Sequence, residues 1–338
     1  MLSREAIIEQ ARVLDFDLCG IASAERHPKL SRLSEWIAAG RAGEMEYLAE
    51  SADERSDPAR VLHTARSVVS LGVVYNSREP AAGAVSRYAW GDDYHDVVRS
   101  RLTPLVRWMA ETAGKGFEAF SCVDSGPIQE RVFAEQAGLG WIGKNTCLIN
   151  PDVGSWVFLA EVLVNVELEP DQPGVDQCGT CTRCLDACPT GALVQPYELD
   201  ATRCISYLTI ETRGELAMEW RDATAGRVFG CDICQDVCPW NRRAAEADDP
   251  AWQPREGLRG PDLLALCRLT DEAWRDLIRG SALRRAGLRR IRRSLAYAAC
   301  ALGPADRAEA MNALSGCASA AFPEVADAIA WTRSRDGA

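Results

Sequence analysis

The segment CGTCTRCLDACP, residues 178–189, places four cysteines in the order C-x2-C-x2-C-x3-C and ends in proline. Bacterial two-cluster ferredoxins use this spacing: the first three cysteines bind one [4Fe–4S] cubane and the fourth binds the other. A second segment, CDICQDVCP at residues 231–239, repeats the pattern without its first cysteine. A second cubane therefore needs one more ligand, and Cys204 is the single cysteine between the two segments.

These eight cysteines form two complete ligand sets. Cluster 1 is predicted on Cys178, Cys181, Cys184 and Cys238, and cluster 2 on Cys188, Cys204, Cys231 and Cys234. Because the fourth ligands cross, the two clusters would lie close enough to exchange electrons. Zinc is the alternative, since four-cysteine zinc sites also use C-x2-C pairs, but the triple spacing followed by C-P favours iron–sulfur.

The remaining cysteines occur singly and are predicted to be buried small hydrophobic side chains. They are Cys19, Cys122, Cys147, Cys267, Cys300 and Cys317. The N-terminus has neither a secretory pattern nor a twin-Arg, and clustered cysteines in such a chain are more typical of metal ligands than of disulfides. We therefore expect a cytoplasmic protein.

Length and charge restrict the possibilities further. A chain of 338 residues is long enough for two or three domains. The net charge of −11 opposes binding to nucleic acid or to an anionic membrane, except at a local basic patch. No run of 18 apolar residues occurs, so we expect no membrane span.

The N-terminal part, residues 1–168, mixes helical and strand periodicities. Helices are predicted over residues 4–14, 94–113 and 128–137, and buried strands over residues 67–75 and 156–166. This alternation predicts an α/β domain that holds a cofactor or a substrate, because a ferredoxin alone does not need so long an N-terminal extension.

The rest of the chain divides at a connector rich in proline and acidic residues, residues 169–174. Residues 169–242 are predicted to form a ferredoxin-like domain with the two clusters. Residues 243–338 are predicted to form a small all-α region, in which residues 289–302 and 305–314 suggest one HEAT-like antiparallel helical pair.

Within the first domain, GLGWIG at residues 138–143 matches the dinucleotide-binding pattern G-x-G-x-x-G. That function requires a strand before the glycines and a helix after them. Here residues 129–137 are helical in pattern and residues 146–149 are strand-like, so we do not expect a Rossmann site. The glycines either meet a large flat ligand or end a helix before a turn.

Two polar residues stand out in the same domain. A lone histidine, His95, is either a metal ligand or, more commonly, a hydrogen-bonded structural residue. Asp124 follows an apolar segment and precedes a helix, where a carboxylate is either an N-cap or a catalytic acid. The pattern alone favours the cap.

Several segments together resemble the epoxyqueuosine reductase family. They are SRYAWGDDYH (residues 86–95), VDS (123–125), AGLGWIGKN (137–145), CGTCTRCLDACPTGAL (178–193), CISY (204–207) and GCDICQ (230–235). The resemblance runs from about residue 5 to residue 241 and is weaker to about residue 315. The combination is far more specific than the cluster motif alone.

The resemblance implies a cobalamin-dependent iron–sulfur oxidoreductase that reduces epoxyqueuosine to queuosine at the wobble position of tRNA. The clusters, fed by an unidentified low-potential donor, would reduce the cobalt to Co(I). The family's proton donor corresponds to Asp124, which reverses the preference for a cap and implies a raised pKa at that carboxyl.

The resemblance also implies a set of cobalamin contacts. They are Arg55, Ser86, Asp124, Ile149, Asn150, Gly154 and Ser206. Some members have cysteine where this chain has Ser86, so a thiol there is not expected to be essential. We expect base-off cobalamin without a protein histidine ligand, because the usual histidine signature is absent, and His95 is not assigned to cobalt.

A basic segment supports a tRNA partner independently of the resemblance. Between Arg279 and Arg293 the chain has seven arginines and no acid, which suits phosphate, whereas the alternative is a solvated helix face. The predicted RNA contacts are Arg131, Arg284, Arg285, Arg289, Arg290 and Arg293. The modified base would have to leave its stack to reach a buried cobalt. We expect a monomer.

Two other functions are compatible with clusters alone. A corrinoid reductive dehalogenase would usually carry a twin-Arg signal and has no use for an arginine patch. A non-catalytic electron-transfer or tRNA-binding module would not need the N-terminal domain with Asp124.

Overall fold

The computed structural model describes residues 2–77, 83–259 and 262–335. Its strands are β1 (Leu18–Ser23), β2 (Ser67–Val74), β3 (Ala119–Cys122), β4 (Trp141–Ile142), β5 (Leu148–Ile149), β6 (Val157–Val164), β7 (Leu193–Gln195) and β8 (Glu198–Leu199).

The first seven α-helices belong to the N-terminal part. They are α1 (Arg4–Val13), α2 (Arg32–Ala38), α3 (Glu46–Glu50), α4 (Ala52–Arg55), α5 (Pro58–Val61), α6 (Tyr94–Ala113) and α7 (Glu130–Gln136). The later helices are α8 (Arg183–Ala187), α9 (Ile205–Ile210), α10 (Met218–Arg221), α11 (Ile233–Asp236), α12 (Leu263–Arg268), α13 (Asp271–Ile278), α14 (Gly287–Ala298), α15 (Pro304–Ser315) and α16 (Pro323–Ser334).

Short 3-10 helices connect these elements. They are Pro28–Ser31, Arg87–Ala89, Ala201–Arg203, Asp222–Thr224, Pro239–Asn241, Pro250–Trp252, Glu256–Leu258, Ala282–Arg285, Ala299–Ala301 and Ala318–Ala321. Among the described residues, no helix is both long enough and apolar enough to cross a membrane.

A four-stranded antiparallel sheet in the order β1-β2-β6-β3 forms the centre of the N-terminal domain. Every residue of β2 is buried because the strand lies between two neighbours and both faces are covered. Val69 packs with α1 and α6, and the adjacent Val68 packs with α7 on the opposite face. The mixed α/β prediction and both predicted strands are confirmed, as are all three predicted helices to within a few residues.

The connector at residues 169–174 lies against the N-terminal domain. Asp171 accepts a hydrogen bond from the Ile21 N–H at 2.8 Å, and the Gly174 N–H donates to the Glu135 carbonyl at 2.8 Å. A Cβ on Gly174 would lie 1.6 Å from the Gly140 oxygen, so only glycine permits this approach. The connector thus fixes the position at which the first cysteine segment begins.

The C-terminal helices pack around α14. The predicted helical pair corresponds to α14 and α15, and α16 packs against both. Residues 84–90, which precede the histidine-bearing α6, contribute Val85, Ala89 and Trp90 to the same core. The start of α6 is therefore held between the sheet and the C-terminal helices.

Candidate active site

The four thiols predicted for cluster 1 lie together. Burial raises the pKa of Cys238, and the neighbouring Cys178 and Cys181 raise it further. Burial likewise raises the pKa of Cys184 to about 11, with added effects from Cys178 and Cys238. The second cysteine segment thus brings its last thiol to the first segment, which is the crossing that the spacing predicts.

The four thiols predicted for cluster 2 are also neighbours. Cys204 lies close enough to Cys188 to have its pKa raised by it, after the larger effect of burial. The pKa of Cys234 is raised by its hydrogen bond with Cys147, by burial and by the nearby Cys204 and Cys231. Cys147 was predicted to be only a small buried side chain, so its contact with a cluster thiol is a feature that sequence reasoning missed.

The donor set of each group fits a cubane. Across the described residues, no three His, Cys, Asp or Glu side chains converge on one metal ion. A cubane binds each thiolate through a different iron atom, so its ligands stand farther apart than those of a single ion.

The glycine-rich segment holds the first cysteine segment in place. Lys144 is buried, and its Nζ donates to the Gly179 carbonyl at 2.6 Å and to the Cys181 carbonyl at 3.0 Å. Trp141 donates its indole N–H to the Cys178 sulfur at 3.5 Å. Hydrogen bonds to cluster sulfurs are among the features that set a cluster's potential.

The glycine-rich segment, residues 138–143, ends helix α7, which is one of the two alternatives that its pattern predicts. Gly138 follows α7 with φ of +75°, and the Leu139 N–H donates back to the Ala134 carbonyl at 2.9 Å. The chain then forms the β4–β5 hairpin rather than a helix. The expectation of no Rossmann site is therefore confirmed.

Asp124 and His95 belong to one chain of charged side chains. His95 Nε2 lies 3.2 Å from Asp124 Oδ2, and His95 Nδ1 lies 2.7 Å from Asp93 Oδ1. Arg284 Nε contacts the other oxygen of Asp93 at 2.8 Å. The structural interpretation of His95 therefore holds only in part, because the histidine is hydrogen-bonded to the candidate acid itself.

Asp124 does not cap a helix. α7 begins six residues later, after Gln129, whereas Asp124 adopts φ of +57°, which is unusual for a non-glycine residue. Its side chain is 60% exposed and also hydrogen-bonds Tyr94. The N-cap interpretation is wrong, because this turn directs the carboxylate away from α7 and towards α6.

The expected raised pKa at Asp124 is also wrong. Desolvation acts to raise it, but the hydrogen bond and positive charge of His95 outweigh that effect, and the pKa lies below its usual value. For His95 the balance is reversed: desolvation lowers the pKa, and Asp124 and Asp93 together raise it to about 9. The proton of this pair therefore resides on the imidazole at neutral pH.

Glu130 supports the Asp124 turn from the other side. Its Oε1 accepts the backbone N–H of Asp124 at 2.6 Å. Desolvation and the neighbouring Asp124 raise the Glu130 pKa to about 8, so this carboxyl is largely neutral at pH 7. A second carboxylate charge is thus kept away from Asp124.

The residues implied as cobalamin contacts differ in exposure and in how far their side chains are already hydrogen-bonded within the protein. Ser86 is buried and donates to Asp232, and the amide of Asn150 serves its own turn and the Leu139 carbonyl. Asp124 is largely exposed, and Arg55 lies close enough to act, like Asp124, on the pKa of Tyr47. A guanidinium and an exposed carboxylate fit a ligand rich in amides and phosphate.

The three other residues implied as cobalamin contacts are buried or half-buried. Ile149 and Gly154 are buried, and Ser206 is half-buried. The residues present fit cobalamin through Ser206 and through the remaining hydrogen-bonding capacity of Arg55 and Asp124. Arg55 already donates to Ser51 and to the Ile128 carbonyl, and Asp124 is bonded to His95 and Tyr94. The side chains of Ser86 and Asn150 are engaged within the protein.

Most of the positive charge of the arginine-rich segment, residues 279–293, is offset by carboxylates from other parts of the fold. Arg284 pairs with Asp93, Arg285 with Glu211 at 2.9 Å, and Arg289 with Glu324 at 2.7 Å. The prediction of Arg293 as an RNA contact is wrong: the residue is fully buried and donates to the carbonyls of Leu208, Thr212 and Gly214. Arg292 is likewise buried, against Asp271.

Arg213, Arg285 and Arg290 border an open polar groove of about 360 Å³, which Glu44, Glu46, Glu50 and Glu211 also line. Arg290 lies in it, half-buried, with no carboxylate partner among the described residues, and Arg285 lies over the ring of Tyr47 at 5.1 Å. The charge of Asp124 acts on the pKa of Tyr47, so the candidate acid lies in the neighbourhood of this lining residue. Arg131 is exposed and donates to the Thr146 carbonyl at 2.6 Å.

Comparison with known proteins agrees with this arrangement. A family model described as a 4Fe-4S double cluster binding domain matches residues 177–241, and one described as Epoxyqueuosine reductase QueG, DUF1730, matches residues 55–125. The epoxyqueuosine reductase of Synechocystis sp. is 44% identical over 81% of this chain and 96% of its own. That of Pseudomonas aeruginosa is 42% identical over 98% of this chain and 94% of its own.

Solved structures give the same result. An epoxyqueuosine reductase with a tRNA-Tyr epoxyqueuosine-modified stem loop aligns with a TM-score of 0.80 at 31% identity, over 98% of this chain and 93% of its own. The epoxyqueuosine reductase of Streptococcus thermophilus aligns with a TM-score of 0.81 at 27% identity, over the whole of both chains.

The fold and the eight thiols define a double-cluster iron–sulfur protein with a mixed α/β domain and a helical C-terminus. The chain belongs to the epoxyqueuosine reductase family, whose members are oxidoreductases that act on tRNA. This membership excludes the dehalogenase and the non-catalytic module as descriptions of the chain.

Proposed function

We propose that this protein reduces epoxyqueuosine to queuosine in tRNA, with Asp124 as the group that protonates the departing oxygen. The observation that carries the proposal is the exposed Asp124 carboxylate on a left-handed turn, joined to His95 and Tyr94, in a chain with two complete cluster-ligand sets. Conversion of an epoxide to an alkene consumes two electrons and two protons and releases one water. The site must therefore supply both the electrons and the protons.

The electrons would pass through the two crossed clusters. Cluster 1 would be held by Cys178, Cys181, Cys184 and Cys238, and cluster 2 by Cys188, Cys204, Cys231 and Cys234. Cobalamin in its Co(I) state, when bound and reduced, supplies the nucleophile that opens the epoxide. Arg55 and Ser206 would hold its polar periphery, with Asp124 facing the reacting oxygen.

Asp124 would deliver a proton to that oxygen as the carbon–oxygen bond breaks and its electron pair remains on oxygen. A positioned acid of this kind contributes about 10²–10⁴-fold to the rate. One solved epoxyqueuosine reductase is described with the loop of its catalytic aspartate swung out of the active site. In this chain the hydrogen bonds to His95 and Tyr94 would hold the corresponding loop inward.

The polar groove would admit the modified nucleotide. Tyr47 is 42% exposed at its edge, and an exposed ring beneath an arginine suits a base that has left its stack. Of the remaining predicted contacts, Arg131 and Arg290 would hold the phosphates. Arg285 and Arg289 would join them from their ion pairs with Glu211 and Glu324, and Arg284 stays with Asp93.

The test is direct. Reduced, cluster-loaded protein is incubated with cobalamin and tRNA that carries epoxyqueuosine, and the digested nucleosides are analysed by mass. We expect the modified nucleoside to lose one oxygen only when protein, reductant and cobalamin are all present. A nucleoside that keeps its mass under all conditions would refute the proposed function.

We predict that Arg290→Ala weakens tRNA binding and lowers the slope of log affinity against log salt by about 0.7–0.9, the value for one lost phosphate contact. The reason is that Arg290 is the groove arginine without a carboxylate partner among the described residues. Filter binding at several salt concentrations measures both quantities.

The matched control for this prediction is Arg279→Ala. Arg279 belongs to the same arginine-rich segment, is highly exposed and pairs with Asp276 at 3.1 Å. It should change neither affinity nor slope. Equal losses in both variants would show that the segment acts through its overall charge rather than through the groove.

A further inference from the structure

His95 is enclosed by charged groups from three elements. Asp93 precedes it and caps α6, accepting the His95 backbone N–H at 3.1 Å, and its side chain is 2% exposed. Asp124 approaches from the turn after β3, and Arg284 approaches Asp93 from the C-terminal region. Tyr94 stacks on the imidazole at 4.0 Å between ring centres. The imidazole is thus fixed on both edges and on one face.

The hydrogen bonds define the state of the ring. A buried carboxylate can only accept, so Asp93 requires a hydrogen on Nδ1, and Nε2 is directed at Asp124. Two carboxylates and one guanidinium carry a net charge of −1, which a protonated imidazole cancels. Both ring nitrogens face carboxylates, which leaves neither for cobalt. The environment therefore selects an imidazolium whose mobile proton faces Asp124.

We infer that His95 is a positioning residue that loads Asp124 with the proton used in epoxide opening, with Asp93 and Arg284 holding the imidazole in place. This inference rests on the proposed function and adds to it the origin of the proton. It also resolves a conflict in the site, because Asp124 beside an imidazolium is ionised and has no proton of its own to give.

The transfer balances as two linked steps. Asp124 first takes the Nε2 proton of His95 and becomes a neutral carboxyl. The carbon–oxygen bond then breaks with its electron pair on oxygen, and the oxygen takes that proton from Asp124, which returns to a carboxylate. The imidazole becomes neutral and keeps its Nδ1 hydrogen on Asp93. Water then restores the Nε2 proton, since the His95 side chain is 21% exposed and Asp124 is 60% exposed. A second cycle supplies the proton for release of the oxygen as water.

The pH dependence follows from the sign of the His95 shift. The histidine pKa in the folded protein, about 9, lies above the ordinary value. His95 therefore carries the proton that Asp124 needs at neutral pH and loses it as the pH rises through about 9. Tyr94, Asp93 and Asp124 surround the ring, and Arg284 pairs with Asp93. The lowered pKa values of Asp93 and Asp124 and the raised pKa of Tyr94 keep their charges constant near neutral pH. Glu130, on the far side of Asp124, has its pKa raised to about 8, so the decline assigned to His95 is the part near pH 9 that His95→Gln removes.

The first experiment compares single-turnover rates of wild type, His95→Gln and His63→Gln between pH 6 and pH 10. His63 is an exposed histidine on the chain segment before β2, so its substitution is the matched control. We expect the wild-type and control rates to fall above pH about 9. His95→Gln should be slower by about 10²–10⁴-fold at neutral pH and should lack that decline. A wild-type rate and pH profile in His95→Gln would overturn the inference.

The second experiment needs no substrate and so separates this inference from the proposed function. The chain has three histidines, and His95→Gln assigns the His95 resonance in the NMR spectrum of oxidised, cluster-loaded protein. We expect that resonance to titrate near pH 9 in the wild type and at lower pH in Asp124→Asn. Titration near the ordinary value of about 6.5 in wild type would overturn the inference even if the enzyme reduces epoxyqueuosine.

Discussion

Asp124→Asn is expected to reduce epoxyqueuosine about 10²–10⁴-fold more slowly than wild type, with unchanged iron content. The amide can still accept the hydrogen bond from His95 Nε2, so the turn should keep its conformation, but an amide cannot take up and pass on a proton. The rate of a single turnover, measured on saturating tRNA, isolates this step from tRNA binding.

The control is Asp96→Asn. Asp96 lies in the first turn of α6, its side chain is 57% exposed, and it approaches Arg284 at 3.9 Å and Arg99 at 3.4 Å. We expect it to retain the wild-type rate. If Asp124→Asn converts epoxyqueuosine as fast as Asp96→Asn, the role assigned to Asp124 is wrong, whatever the pKa of its neighbour.

The grouping of the cluster thiols could be predicted because cluster ligands follow local spacing. Three cysteines within seven residues approach one cubane from a single short helix and its flanking turns, so residues 178–184 carry most of the information. The second cysteine segment lacks one of its ligands, and Cys204 is the single cysteine between the two segments, so it was assigned as that ligand. The structure places Cys204 beside Cys188 and Cys231, but it also adds Cys147, which no spacing rule connects to the second segment.

The basic segment could not be interpreted from its own residues. No acid occurs between Arg279 and Arg293, yet Arg284, Arg285 and Arg289 pair with acids that are distant in sequence. These acids are Asp93, Glu211 and Glu324. Charge along a sequence differs from charge on a surface whenever tertiary ion pairs form. The amphipathic pattern of α14 could have warned that Arg292 and Arg293 lie among buried positions.

The prediction of a raised pKa at Asp124 was wrong for a related reason. The resemblance implied that Asp124 is the proton donor, and that role implied a carboxyl that an apolar site keeps neutral. The decisive neighbour is His95, on a different element, and a hydrogen-bonded cation has the opposite effect on a carboxyl. Family resemblance named Asp124 as the candidate acid, whereas the direction of its pKa shift required the coordinates.

Cys204→Ala is expected to lose about half of the iron and all reduction of epoxyqueuosine, while Cys147→Ala keeps about eight iron atoms per chain. Both thiols lie near Cys234, so the structure offers two candidates for the remaining ligand of cluster 2. Cys204 is favoured because it also lies beside Cys188 and Cys231, whereas Cys147 shares a hydrogen bond with Cys234 and lies near Cys204.

The pair of variants is matched, because each removes one thiol from the same small region. Iron analysis gives the number of clusters, and EPR of the reduced protein distinguishes one remaining cubane from two interacting ones. Cys147→Ala should keep both clusters and shift the potential of cluster 2, since a hydrogen bond to a ligand sulfur is lost. The reverse result, with iron lost from Cys147→Ala and kept in Cys204→Ala, would move the ligand to the β4–β5 hairpin. The glycine-rich segment would then bind the cluster rather than merely hold its cysteine segment.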